Sequence, residues 1–357
     1  AALSRGMRPW NLWLGWDDAA SPMSFMRFRW VARAVREELG GEVVYELYRP
    51  GHFYDVVVFL KSMGDRCVEL AGLLQGQGTR VVFEANVDYY SASGGVGRFD
   101  AMVPTKEQRA SAVAMTELAD GVIASSRHLA GVCGEFNDRV SWVPDNVDFR
   151  LVPKPRAARG REDGRLNLWW SGMASKLCEF LVIERVLLER RDRVFLNLVT
   201  GSLAAMREWP PEVRERMEGL LAEVPHSVVK FTSVKDLLRR YAEGGVIVSP
   251  RFLDAPYNLS HTEWKISLGM ACGLPAVASP VPSYADVEGR AGGGAVTLCE
   301  AEADWGMALD ELAAAGSTDL AERGAAASQV VRKFYATPVV AREHWAAVSG
   351  VLEGGGE

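Results

Sequence analysis

Residues 166–200 read LNLWWSGMASKLCEFLVIERVLLERRDRVFLNLVT. Apolar runs at 166–170 and 194–200 enclose an amphipathic stretch at 175–190, and a small-residue turn holding Ser171 and Gly172 follows the first run. Strand, helix, strand in that order, with each strand a continuous hydrophobic run, is how a parallel sheet covered on both faces reads. The rhythm extends outward in both directions. Downstream, strands are predicted at 227–231, 246–249 and 274–278 between helices at 211–222, 234–242 and 262–272, followed by helical stretches at 303–314, 319–334 and 338–351. Upstream, strands at 10–16, 42–47, 55–60, 80–84, 121–124 and 140–143 alternate with helices at 25–38, 66–76, 106–118 and 126–136.

The chain has 357 residues, enough for two domains that each bury a core. One stretch divides it. Residues 152–164, VPKPRAARGREDG, combine prolines and charges with almost no apolar side chain and read as a linker. The expected fold class is therefore α/β, two facing Rossmann-like doubly wound domains: an N-terminal domain over 1–151, a linker over 152–164, and a second domain over 165–335. A C-terminal helix at 336–357 is expected to pack back on the N-terminal domain. Two such domains imply a cleft.

Composition removes several function classes. With 40 Lys and Arg against 46 Asp and Glu, the net charge of −6 would repel a phosphate backbone, so no nucleic-acid partner is expected. The five cysteines are scattered and the five histidines show no ligand spacing, which supports neither a disulfide framework nor a zinc site. No run of about 18 apolar residues or charged-then-apolar leader stands out, so no integral membrane segment and a cytoplasmic location are expected. The oligomeric state cannot be read.

In open α/β sheets, ligands bind where strands end and helices begin. After the first predicted strand comes GWDDAASPMS at 15–24, with Asp17, Ser21 and Ser24, leading to a helix with Arg27 and Arg29. This loop can cradle a polar ligand, or simply cap a helix whose arginines are solvated. After the strand at 80–84 lies Asp88, with a glycine-rich loop beyond it that either closes over a ligand or is an ordinary turn. In the second domain Gly172 permits close backbone approach, Ser175 can cap the helix, and Lys176 can set a cation beside a phosphate, although the P-loop spacing is absent. The most informative stretch is 249–284, SPRFLDAPYNLSHTEWKISLGMACGLPAVASPVPSY. Its polar loop, with Asn258, Ser260, His261 and Thr262, feeds a helix beginning near Glu263 and Lys265. That arrangement suits a diphosphate and a hydroxyl-rich group.

Residues 265–279, KISLGMACGLPAVAS, resemble the K-x-x-E-A-M-A-x-G-x-P-V-V-A-S signature of GT-B glycosyltransferases of the large retaining nucleotide-sugar family. LADGVIASSRHL at 118–129, VPDNVD at 143–148 and YDVVVFLK at 54–61 look like further stretches of that family, and the flanks of the signature look like bacterial surface-polysaccharide members. The resemblance implies a nucleotide-diphosphate sugar held mainly by the C-terminal domain, an acceptor held mainly by the N-terminal domain, and transfer without a bound metal or other cofactor. Carried over by position, Lys176 and Lys265 would be catalytic. Ser171, Gly172, Ser175, Asn258, Ser260, His261, Thr262, Glu263 and Tyr284 would serve the donor, while Asp17, Ser21, Ser24, Arg27 and Asp88 would lie on the acceptor side.

The match has gaps. The family's two glutamates fall on Ser260 and Leu268, and the arginine of its first C-domain loop falls on Met173. Three readings follow: a divergent transferase acting on a saccharide or small-molecule hydroxyl, a catalytically weak GT-B binding or partner protein, and a GT-B sugar-nucleotide epimerase or hydrolase.

Overall fold

The computed structural model describes residues 10–14, 24–39, 45–91, 103–154 and 163–353. The chain divides into two compact units, one of Ala1–Asn146, Ala255–Thr262 and Tyr335–Glu357, the other of Val147–Asp254 and Glu263–Phe334. Part of the stretch read as a linker, residues 155–162, lies outside the described residues.

The first unit holds β1 (Trp10–Leu14), β2 (Tyr45–Leu47), β3 (Val56–Leu60), β4 (Arg80–Ala85), β5 (Gly121–Ala124) and β6 (Val140–Trp142). They form a parallel sheet in the order β2-β1-β3-β4-β5-β6. Because successive side chains alternate between faces, the uniformly apolar β3 feeds two cores at once. Val56, Val58 and Leu60 join Val82 and Ile123 on one face, while Val57 and Phe59 join Val81, Phe83 and Ala124 on the other. The first face is covered by helices Val31–Leu39 and Thr337–Glu353 through Val31, Val35, Val340 and Val348. Helices Asp65–Gly76, Lys106–Leu118 and Arg127–Cys133 cover the second through Leu74, Met115 and Leu129. Burying a side chain such as Phe59, which is fully buried, contributes about 1.5–3 kcal/mol.

A buried polar knot crosses the first face. Arg27, on the π-helical turn Ser24–Trp30, binds Glu84 of β4 through Nε. Its Nη1 donates to the carbonyls of Val143 (3.0 Å) and Pro144 (2.6 Å) and to Asp145 Oδ1 (3.2 Å). His344 Nε2 lies 3.4 Å from Glu84 Oε2, and its Nδ1 lies 3.1 Å from Tyr45 OH. Burial pushes the Glu84 carboxyl up, but Arg27 and His344 outweigh it and hold it below the usual carboxylate range.

The second unit holds β7 (Leu166–Ser171), β8 (Val194–Thr200), β9 (His226–Lys230), β10 (Val246–Ser249), β11 (Ala276–Ala278) and β12 (Val296–Leu298). All neighbours are parallel, in the order β12-β11-β10-β7-β8-β9. Three elements of this unit are not anticipated by the sequence: the 3₁₀ helix Leu203–Glu208, β12, and helix Pro282–Ala291, which opens with proline in its first turn. The predicted helix at 175–190 is a 3₁₀ helix over Ala174–Ile183 that passes into an α-helix over Glu184–Glu189. In 3₁₀ winding residues three apart eclipse. Leu177, Phe180 and Ile183 accordingly stack in the core, and Lys176 and Glu179 stand one above the other.

Close helix packing behind β10 depends on glycine. A Cβ on Gly324, in helix Ser317–Phe334, would overlap the carbonyl oxygen of Gly273, itself in the left-handed region at φ 84°. Backbone cannot yield as a flexible side chain does. Gly324→Ala is expected to lower stability by about 1–3 kcal/mol, read as an earlier urea midpoint.

Candidate functional site

In the second sheet the chain runs from β7 outward through β8 and β9, then returns to β10 on the other side of β7. Connections leaving β7 and β10 therefore diverge, opening the crevice where α/β sheets bind ligands. Three helices begin at the carboxyl ends of β7, β10 and β11 without a side-chain cap: Ala174–Ile183, Trp264–Ala271 and Pro282–Ala291. Their positive ends favour an anion.

Cationic side chains gather at the same place. Arg251, just past β10, is buried; its Nη1 donates to both oxygens of buried Glu179, at 3.0 and 3.2 Å. Its backbone N–H donates to Ser279 Oγ at 2.8 Å, and Tyr284 OH sits 2.8 Å from Ser249 Oγ and 3.5 Å from Arg251 Nη2. Burial works against the guanidinium charge, yet Glu179 and Tyr284 keep it above the ordinary arginine value. Lys265 projects from the start of helix Trp264–Ala271, with Nζ 4.5 Å from the centre of the Trp170 ring. That nitrogen is buried and has no hydrogen-bond partner. Burial pushes the ammonium well below the ordinary lysine range, Arg251 and Lys176 push the same way, and Glu179 opposes them. Gly172 completes the cradle, since a Cβ there would come within 2.9 Å of the Trp170 ring and 3.1 Å of Lys265 Nζ. Arg251, Lys176 and Glu179 thus all act on Lys265, and the one carboxylate among them is already committed to Arg251. A buried lysine nitrogen without an acceptor, beside uncapped helix ends, suits an anion.

The other expected donor residues are distributed differently. Ser171 Oγ accepts from Tyr241 OH at 2.9 Å, at the rim of the same strand end. Ser175 does not cap its helix: winding starts one residue earlier, at Ala174, and puts Met173 at the cap. Tyr284 is fully buried and bears on Ser249 and Arg251, so it positions the site from below. Glu263, also buried, stands at the cap of the Lys265 helix without a side-chain cap bond.

Asn258, Ser260, His261 and Thr262 belong to the first unit. Ser260 accepts from the Asp88 N–H at 2.9 Å and donates to the Tyr257 carbonyl at 3.0 Å, and its own carbonyl accepts from Ser126 Oγ at 2.9 Å. Thr262 Oγ1 donates to Asp145 Oδ2 at 2.6 Å. Asn258 is buried, and the His261 ring meets Tyr257 edge-on at 4.8 Å. The hydroxyls of Ser260 and Thr262 are thus engaged within their own unit.

Among the residues expected on the acceptor side, Arg27 is held in the Glu84 knot. Asp88 closes a turn by accepting the N–H groups of Tyr90 and Ser91 and the Ser91 hydroxyl. Asp17 and Ser21 lie outside the described residues, and Ser24 opens the turn that carries Arg27. Leu268, at the position of a family glutamate, is a core residue. Glu179 is the participant that sequence reading missed. Its signal is a carboxylate set inside the apolar run LCEFLVI at 177–183. Among the described residues no group of three or more His, Cys, Asp or Glu is placed to hold a metal, and no helix is long and apolar enough to cross a membrane.

No protein-family model matches the chain, and comparison with curated protein sequences finds no match. Solved structures do resemble it. The Anabaena HepE protein, in complex with UDP and glucose, superposes with a TM-score of 0.68 at 12% identity over 96% of this chain and 100% of its own. Sucrose-phosphate synthase from Thermosynechococcus elongatus gives 0.62 at 17% identity, covering 84% of this chain and 74% of its own. A glycosyltransferase from Rickettsia africae gives 0.62 at 11% identity, covering 98% and 99%. At these identities the likeness speaks of architecture, and with the two parallel sheets it gives this chain the GT-B glycosyltransferase fold.

Proposed function

We propose that the chain is a glycosyltransferase moving a sugar from a nucleotide-diphosphate donor to a hydroxyl of a saccharide or small-molecule acceptor, with retention of configuration and without a resident metal. The observation that carries this reading is the cluster of Lys176, Glu179, Arg251 and Lys265 at the β7 and β10 ends, with a buried lysine nitrogen that lacks an acceptor. As the anomeric C–O bond breaks, charge develops on the leaving diphosphate, and the acceptor oxygen forms the new bond to the anomeric carbon while its proton passes to an oxygen of that diphosphate. Lysine ammonium groups and uncapped helix ends stabilise that charge where it appears. Arg251 and Tyr284 hold the cluster in place. UDP is the first nucleotide to try, since it is the one bound in the HepE structure.

Lys176→Ala and Lys265→Ala should each cut nucleotide release from the preferred sugar donor by about a hundredfold or more, with circular dichroism unchanged. Wild-type turnover in both variants, across UDP, GDP, dTDP and ADP sugars, would overturn the assignment. Leu268 in the core favours a second reading, a GT-B protein that binds nucleotide and turns it over weakly. Binding heat without catalytic nucleotide release is the result that would favour it.

A further inference from the structure

We propose that Lys265 stands as a neutral amine in the free protein and takes up one proton when a nucleoside diphosphate binds, so that anion binding here is coupled to protonation. The inference rests on the donor-binding reading above and adds a property to that site. Its basis is geometric. The Lys265 nitrogen is buried, has no acceptor, and faces the Trp170 ring at 4.5 Å. The charged and titratable groups acting on it are Arg251 beyond β10 and Lys176, Cys178 and Glu179 on the 3₁₀ helix, while Tyr284 on helix Pro282–Ala291 lies against Arg251. Glu179 is the one carboxylate among them, and both its oxygens accept from Arg251 Nη1.

An ammonium in this position forfeits its water without gaining an acceptor and is repelled by two neighbouring cations, so the neutral form is favoured. Direct attraction to the Trp170 face offsets only part of that loss. Burial and Arg251 push the group down in the same sense. An arriving diphosphate reverses both terms by bringing acceptor oxygens and several negative charges. The Lys265 amine then takes a proton from solvent, and the product is an ammonium bound to phosphate. By linkage, affinity falls as pH rises, by up to about tenfold per unit, between the free and liganded titration points of Lys265.

Calorimetric titration of the full chain with UDP at about pH 8, in Tris and in HEPES, tests this, because the two buffers release protons with different heats. The expected result is a buffer-dependent enthalpy corresponding to uptake of about one proton per UDP. Lys265→Arg, which cannot deprotonate, should bind with uptake near zero. In case that variant packs poorly, wild-type chain labelled at lysine Cε should show one resonance titrating far below the others and moving to the ammonium position on UDP addition. Equal heats in the two buffers, uptake that persists in Lys265→Arg, or the absence of such a resonance overturns the inference and leaves the donor site standing. No binding of UDP, GDP, dTDP or ADP overturns the donor reading itself, and the inference with it.

Discussion

Arg251→Met is expected to lower the unfolding free energy by about 3–5 kcal/mol, because it strands Glu179 in the interior without its partner. Both side chains are essentially excluded from solvent, at 2% and 0% exposure, so water cannot replace the lost guanidinium. The Arg251 N–H to Ser279 bond survives the substitution, which confines the effect to the side chain. Adding Glu179→Leu should recover most of the loss, since removing a buried pair together is often neutral where removing one member is not. A double-mutant cycle by urea denaturation measures the coupling. Arg251→Met unfolding at the wild-type midpoint would show that Glu179 finds another partner and that the pair does not hold the 3₁₀ helix to the end of β10.

Arg27→Met should be comparably damaging in the first unit, at about 3–5 kcal/mol near neutral pH. Glu84 loses its nearest cation, and Asp145, which burial holds above the usual carboxylate range, loses one of the two side chains that bind it. The pH dependence carries a sign. In the wild type Glu84 titrates below its unfolded value, so its contribution is present above about pH 4.3 and is lost as pH falls through the folded value. In the variant burial acts with less opposition and lifts the carboxyl, so acidification from neutral relieves the strain. Thermal melts from neutral down to about pH 4 should therefore show the gap between variant and wild type narrowing. A constant gap would mean that Glu84 does not carry the cost.

Much of this architecture was legible because parallel strands buried on both faces announce themselves as unbroken apolar runs. The β8 sequence VFLNLVT and the β10 sequence VIVS emerge with the bounds that the sequence predicts. Helix Lys106–Leu118 does too, its start marked by Thr105 and Gln108, which cap each other reciprocally. Strand β12 was not legible, since three residues following the glycines at 292–294 give no periodicity to read. At the candidate site Gly172 and Lys176 could be named from position after a strand, and Lys265 from its place at the start of a helix behind a polar loop, which are local properties. The Arg251–Glu179 pair could not. Its members are 72 positions apart and meet only once β7 and β10 become neighbours, and a single sequence does not state strand order. The polar loop at 254–262 misled for a related reason. Its hydroxyls look available in sequence, but Ser260 and Thr262 spend them on Asp88, Tyr257 and Asp145.

Helix Thr337–Glu353 brings Val340 and Val348 onto a face of the first sheet and places His344 beside Glu84. During synthesis on the ribosome that face has nothing from this helix to cover it until the entire second unit has been made. At 5–20 residues per second the wait is on the order of ten seconds or longer. A nascent first unit would meanwhile present Val82 and Ile123, on the strands that this helix packs against, to whatever holds hydrophobic surface in the cell, so its completion waits on synthesis of the second unit.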